Sequence, residues 1–174
     1  MSVTMAELTE RLHCSKATLY SVASTKEQIV VLATKNFFGS SAASIEQDVS
    51  AVDDPRDRIT TYLGGVAKAM RRNSRAFYAD MMAFEPTAEI YRRNTDRAAR
   101  RVRELIDDGI ESGVFGARDG AFAAQLVALA IDAVQSGALL DKTGLSAADA
   151  FAELAQLLLN GLLRQPPPGP LPGV

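Results

Sequence analysis

Residues 4–29 read TMAELTERLHCSKATLYSVASTKEQI, and the pattern of this stretch decides the fold class. Thr4 followed by Glu7 has the spacing of a capping box, in which hydroxyl and carboxylate each satisfy a backbone N–H at a helix start. Leu8 and Leu12 then fall on one face of the first helix. His13-Cys14 interrupts the pattern, Ser15 is a good N-cap, and a second short helix extends through Tyr20 to about Ala23. Ser24 with Glu27 repeats the capping-box spacing and opens a third helix from about Thr25. Two short helices joined by a turn of a few residues make a helix-turn-helix pattern.

That pattern has a chemical use. The second helix of such a motif enters the DNA major groove with its leading residues on base edges, so these must be small or polar. Ser15, Lys16, Ala17, Thr18 and Tyr20 meet this need with several donors, one cation, and a phenol able to reach the backbone. Leu19 is expected to point inward, toward Leu8, Leu12 and Ile29. Lys26, in the first turn of the next helix, is placed to grip a phosphate. Thr4 completes the candidate DNA-contacting set.

The string resembles the DNA-binding region of the TetR family of bacterial transcription regulators. There a helix is followed by Gly-Val-Ser, a residue or two, Thr-Leu-Tyr, a spacer and Lys-Glu. The matching residues are Ser15, Thr18, Leu19, Tyr20, Lys26 and Glu27, with Leu8 and Ile29 at core positions. IESGVF at 110–115, followed by Asp119, also looks like the turn before the last two helices of many members. Three departures stand out. His13 occupies a turn position that is usually Gly and often needs positive φ. Ala23 and Val22 replace residues that are usually aromatic. Only Met1-Ser2-Val3 stand where the family has a further helix packed across the motif. Two expectations follow from that last departure: the protein starts upstream, or its DNA head is poorly stabilised for want of apolar surface.

Working outward, almost all of the chain reads as helix, with apolar residues recurring at three- and four-residue spacings. The third helix is expected to fade near Gly39-Ser40, with a short helix around 42–49. Asp54-Pro55 starts another, carrying Ile59, Tyr62, Leu63, Val66 and Met70. Further helices are expected over 75–84, 87–112 (ending at Gly113), 121–140 and 146–163. The segment 165–174 holds five of the seven prolines and is expected to be extended and disordered. The resulting division is a DNA-binding head over 1–38, a helical ligand-binding and dimerisation domain over 39–164, and a Pro-rich tail over 165–174. The fold class is all-α.

The 174 residues carry a formal net charge of −2, with one Cys, one His and no Trp. One cysteine excludes an internal disulfide, and single His and Cys residues argue against zinc sites and Cys-His dyads. There is no run of 18 apolar residues and no signal peptide, so a soluble, cytoplasmic protein that avoids membranes is expected. Up to Phe38, four Lys/Arg face three acids, which forecasts a head that binds DNA modestly and relies on being dimeric.

The last two helices are rich in Ala and Leu, and the resemblance implies that they pair with a symmetry mate as a four-helix bundle. The middle helices carry Tyr62, Phe77, Tyr78, Met81, Met82 and Tyr91. With Asp132 and Gln135 these are the candidate lining of a pocket for a small, mostly apolar effector. Core packing is the competing reading for each of them. Arg92, Arg93, Arg97, Arg100, Arg101 and Arg103 raise a second nucleic-acid surface. The pairs Arg100–Glu104 and Arg103–Asp107 favour a solvated, ion-paired helix face instead. No phosphate loop, metal motif or cofactor signature is present, and no enzyme is expected. The implied function is a ligand-responsive DNA-binding regulator, a repressor that binds a double-stranded operator as a homodimer and is released by its effector. The alternative is a helical small-molecule-binding or interaction module with a vestigial DNA head.

Overall fold

The computed structural model describes residues 4–116 and 119–162. Among these residues nine helices follow one another: α1 (Met5–Arg11), α2 (Lys16–Val22), α3 (Lys26–Ser50), α4 (Pro55–Met70), α5 (Arg75–Ala83), α6 (Glu85–Glu111), α7 (Gly120–Gln135), α8 (Ala138–Thr143) and α9 (Ala147–Leu162). None is long and apolar enough to cross a membrane. The expected disordered tail, 165–174, lies outside the described residues.

Helix starts follow side-chain chemistry. The Glu7 N–H donates to Thr4 Oγ1 at 3.2 Å and the Thr4 N–H donates to Glu7 Oε2 at 2.7 Å, completing the capping box. The bond from the Thr4 backbone, and then that from its hydroxyl, hold the Glu7 carboxyl below its ordinary range. Ser15, Asp54, Ser74 and Asp119 cap α2, α4, α5 and α7. The cap of α3 differs from expectation: it is Thr25, not Ser24. Thr25 Oγ1 accepts from the Gln28 N–H at 3.2 Å, and Gln28 Oε1 accepts from the Ser24 N–H at 2.8 Å. Gln28 serves one residue later than Glu27 would have.

Helix ends repeat one device. After α1, the His13 N–H donates to Glu10 O at 3.2 Å and the Cys14 N–H to Thr9 O at 3.1 Å. This is a Schellman motif, which needs a left-handed residue just past the helix. His13 takes that role at φ 50°, the single non-glycine with positive φ among the described residues. After α6 the same pair of bonds runs from Gly113 to Ile110 and from Val114 to Gly109, with Gly113 at φ 75°. The IESGVF turn then folds Phe115 back over Gly109. The ring is 2% exposed, and a Cβ on Gly109 would collide with its Cδ2. A side chain there and the ring cannot coexist.

Two helix boundaries depart from the sequence reading. α3 does not fade at Gly39-Ser40 but runs 25 residues without a break, through the expected boundary at 38–39 and the expected short helix. Phe38, Ile45 and Val49 are all buried, so one inward face continues across the glycine. That packing outweighs the roughly 1 kcal/mol a helical glycine costs. Conversely, the expected helix 121–140 is two helices, broken at Gly137 with φ 79°. The Arg75 guanidinium lies against this glycine and would have to shift for a Cβ there. Arg75 in turn forms two hydrogen bonds to Asp141 of α8, at 3.0 and 2.6 Å.

The main core joins the second half of α3 to α4, α6, α7 and α9 through Val49, Ile59, Leu63, Leu105, Ile106, Phe115, Val127 and Phe151. A second cluster joins α3, α5 and α6 through Phe38, Met81 and Tyr91. The head has less to bury. Leu19 is enclosed and Leu8 and Ile29 are half-buried, but Leu12, expected beside them, is 58% exposed. Two seven-residue helices cannot surround all of their apolar side chains, and Val22 is left open as well.

Gly109→Ala should expel the Phe115 ring and destabilise the body by roughly 2–3 kcal/mol, read as a lowered urea midpoint. His13→Gly should relieve the left-handed strain and slow amide exchange in α1 by a factor of about 2–5, corresponding to roughly 0.5–1 kcal/mol.

Candidate functional site

The head presents α2 as an outward-facing helix. Leu19 and Ala23, four residues apart, are buried and fix its orientation, which leaves Lys16, Ala17, Thr18 and Tyr20 exposed. The Ser15 hydroxyl accepts the Thr18 N–H at 3.0 Å and lies 2.8 Å from the Thr18 hydroxyl. Both side chains therefore build the leading turn while remaining at the surface. Lys26 opens α3 just beyond, half-buried. Thr4 is exposed at the start of α1, with its hydroxyl and its N–H both held by Glu7. The expected set thus falls at helix starts and on one exposed helix of the head.

A cleft of about 600 Å³ opens between α3, α4 and α6 in the body. Phe38, Ile45, Val66, Met70 and Ile131 form its apolar part, beside Tyr62 and Tyr91. Burial, and then the nearby Glu46 charge, push the Tyr62 phenol up to about 12, so it stays neutral at physiological pH. Of the eight expected pocket residues only Tyr62 and Tyr91 line this cleft. Phe77 stacks edge-on against Phe37, while Tyr78, Met81 and Met82 belong to the packed cluster of α3, α5 and α6. Gln135 is half-buried near the end of α7, away from the cleft lining.

Asp132 is tied up inside the protein. Its Oδ1 accepts from the Tyr78 hydroxyl at 2.9 Å and from the Tyr91 hydroxyl at 3.1 Å, which pins α5 and α6 to α7. Burial first, and then Asp132, push the Tyr78 phenol up to about 12 and raise Tyr91 further. Sequence reasoning found these three residues without finding that they answer one another. Periodicity gives the face a residue occupies but not its partner on another helix.

The charged lining of the cleft was missed. Lys35 comes from α3, while Arg93, Arg97, Arg100 and Arg101 come from α6, with Glu46 and Glu104 between them. Their three- and four-residue spacing along α6 was the available signal. The expected Arg103–Asp107 pair forms at 3.5 Å, but Arg100–Glu104 does not. Glu104 pairs with Arg101 at 3.0 Å, and Arg101 also holds Glu46 of α3 at 3.0 Å. Arg92 and Arg93 pair with Glu89, and Arg92 also with Glu85.

Outside the cleft, α7 and α9 carry an uncovered apolar face. Phe122, Leu126 and Leu129 follow one stripe of α7, and Leu157 lies on α9; Phe122 is 69% and Leu157 70% exposed.

No family model and no curated protein sequence matches the chain. Solved structures do. A TetR transcription regulator from Haloarcula marismortui superposes with a TM-score of 0.76 at 17% identity, over 94% of this chain and 88% of that one. The chain has the TetR-family fold. A transcriptional regulator from Saccharomonospora viridis in complex with choline matches at 0.71 and 17% identity, over 94% of this chain and 88% of its own. FadR from Bacillus subtilis in complex with stearoyl-CoA matches at 0.66 and 14% identity, over 92% and 89%. One TetR-like neighbour is thus seen with a cation and another with an anionic thioester, so the fold does not specify the ligand.

Asp132→Ala should leave the buried Tyr91 phenol and the half-buried Tyr78 phenol without this acceptor and cost roughly 1–3 kcal/mol of stability in urea unfolding. A change below about 0.5 kcal/mol would remove Asp132 as the pin between the three helices.

Proposed function

We propose that the chain is a ligand-responsive DNA-binding transcriptional regulator, a repressor acting as a homodimer and released from its operator by a small, mostly apolar effector. The observation that carries this is the outward face of α2. Lys16, Ala17, Thr18 and Tyr20 stand exposed on a helix held by buried Leu19 and Ala23, in a chain with the TetR-family fold. A helix presented this way fits the major groove, with Ser15 at its leading turn and Lys26 toward a phosphate.

The open apolar face of α7 and α9 supports the dimer. Such a patch is costly to leave in water, and pairing two copies would place two α2 helices about one DNA turn, roughly 34–36 Å, apart. The path from effector to DNA is α3. Lys35, Phe38, Ala42 and Ile45 of this helix line the cleft, and its first turn abuts the head. A ligand that fits the cleft better in one α3 orientation than in the other would change head separation. Effector and operator would then weaken each other by the same factor.

A gel shift against DNA from the gene's own upstream region tests the reading. Lys26→Ala should weaken binding on every sequence and reduce the log–log salt slope by about 1, and Tyr20→Ala should weaken it with no change in oligomeric state. Leu126→Glu with Leu157→Glu should convert the dimer to a folded monomer in light scattering and abolish the shift. Exposed Leu12 and Val22 favour the second reading, a binding module with a non-functional head. Failure to shift any upstream DNA would decide for it.

A further inference from the structure

We propose that the cleft between α3, α4 and α6 is a site for an anionic amphiphile: an apolar chain ending in a carboxylate or phosphate. This rests on the effector reading above and names the class of molecule. Two features of the lining point to it. The first is the apolar wall, built from Phe38, Ile45, Val66, Met70 and Ile131 and closed by Ile90 of α6, large enough for a chain rather than a single ring.

The second is the charge around it. Lys35, Arg93, Arg97, Arg100 and Arg101 stand against only Glu46 and Glu104 in the same lining. Arg101 pairs with both of those carboxylates, each at 3.0 Å, and leaves one negative charge against the remaining cations. Arg93 has its own partner in Glu89 at 2.7 Å. Lys35, Arg97 and Arg100 have no carboxylate within ion-pair distance among the described residues. The contrast lies within one helix: Arg92 and Arg103 of α6, outside the cleft, are both ion-paired, at 3.4 Å to Glu89 and 3.5 Å to Asp107. The unpaired cations of this helix therefore gather where it faces the cleft. An anionic head would restore the balance, and guanidinium groups suit carboxylate and phosphate oxygens alike. A cationic ligand would be repelled by the same set.

The test holds the tail constant and varies the head, using calorimetry on the full chain below micellar concentrations. Dodecanoate and dodecyl phosphate are the two anionic arms, dodecanol the neutral control and dodecyltrimethylammonium the cationic one; acetate and inorganic phosphate supply the head alone. At least one anionic amphiphile should bind about tenfold or more tightly than dodecanol, with the cation weaker still and the bare heads weakest. The double variant Arg97→Gln, Arg100→Gln should lose about tenfold or more for the anion, keep its dodecanol affinity and melt like the parent. Equal affinity for dodecanol, preference for the cation, undiminished anion binding by the double variant, or no binding of any amphiphile would each overturn the proposal. Operator gel shifts in the same samples separate the two readings. Selective anion binding that leaves the operator complex intact upholds the site and refutes its role as effector pocket. Loss of anion selectivity with a functioning operator complex refutes the site alone.

Discussion

The structure turns on the continuity of α3. This helix begins at the Thr25 cap against the head, passes the cleft at Lys35 and Phe38, and ends with Ile45 and Val49 in the main core. At 1.5 Å per residue its 25 residues span about 37 Å. A break at Gly39 would leave the head on a flexible tether, unable to feel the body. The helix persists because Phe38, Ile45 and Val49 bury one continuous face across the glycine. The head relies on this more than most small modules would. With Leu12 and Val22 uncovered it has little core of its own, and its place relative to the body is set by the helix that leaves it.

The rest of the body holds α3 in place. The fold over Gly109 by Phe115 closes the end of α6 against the main core, and the Tyr78–Asp132–Tyr91 bonds lock α5, α6 and α7 together. One interaction is steric and the other polar; the first anchors α6 in the main core and the second holds Tyr91 at the cleft. The cleft itself is then bounded on two sides by rigid helices and on the third by α3, the element that leads out to the head. A ligand there lies against the one wall that is continuous with the head.

Much of this was legible in the sequence. The caps at Thr4, Ser15 and Asp54 are one-dimensional signals, because the donor and acceptor lie two or three residues apart. The left-handed turn at His13 was legible only through the resemblance, which puts a glycine position there. What the sequence hid involves partners far apart in the chain. α3 outran its glycine because its inward face is buried against α4 and α6, whereas the choice of Thr25 over Ser24 turned on Gln28 close by. The pair that ties the start of α5 to α8 joins Arg75 to Asp141, 66 positions later. The candidate pocket shows the same limit: large adaptable side chains were read as lining, whereas most of them pack on one another. The arginines read as a solvated face are in part the rim of the cleft.

The central claim is that α3 carries cleft occupancy to the head. Pulsed electron–electron resonance measures this directly in the proposed dimer, with a spin label on α2 through Ser21→Cys in a Cys14→Ser background. The label-to-label distance should shift when the cleft is filled by dodecanoate, while a reference label on the exposed face of α6 keeps its distance. A saturated cleft with an unchanged distance between the two α2 labels would contradict the account.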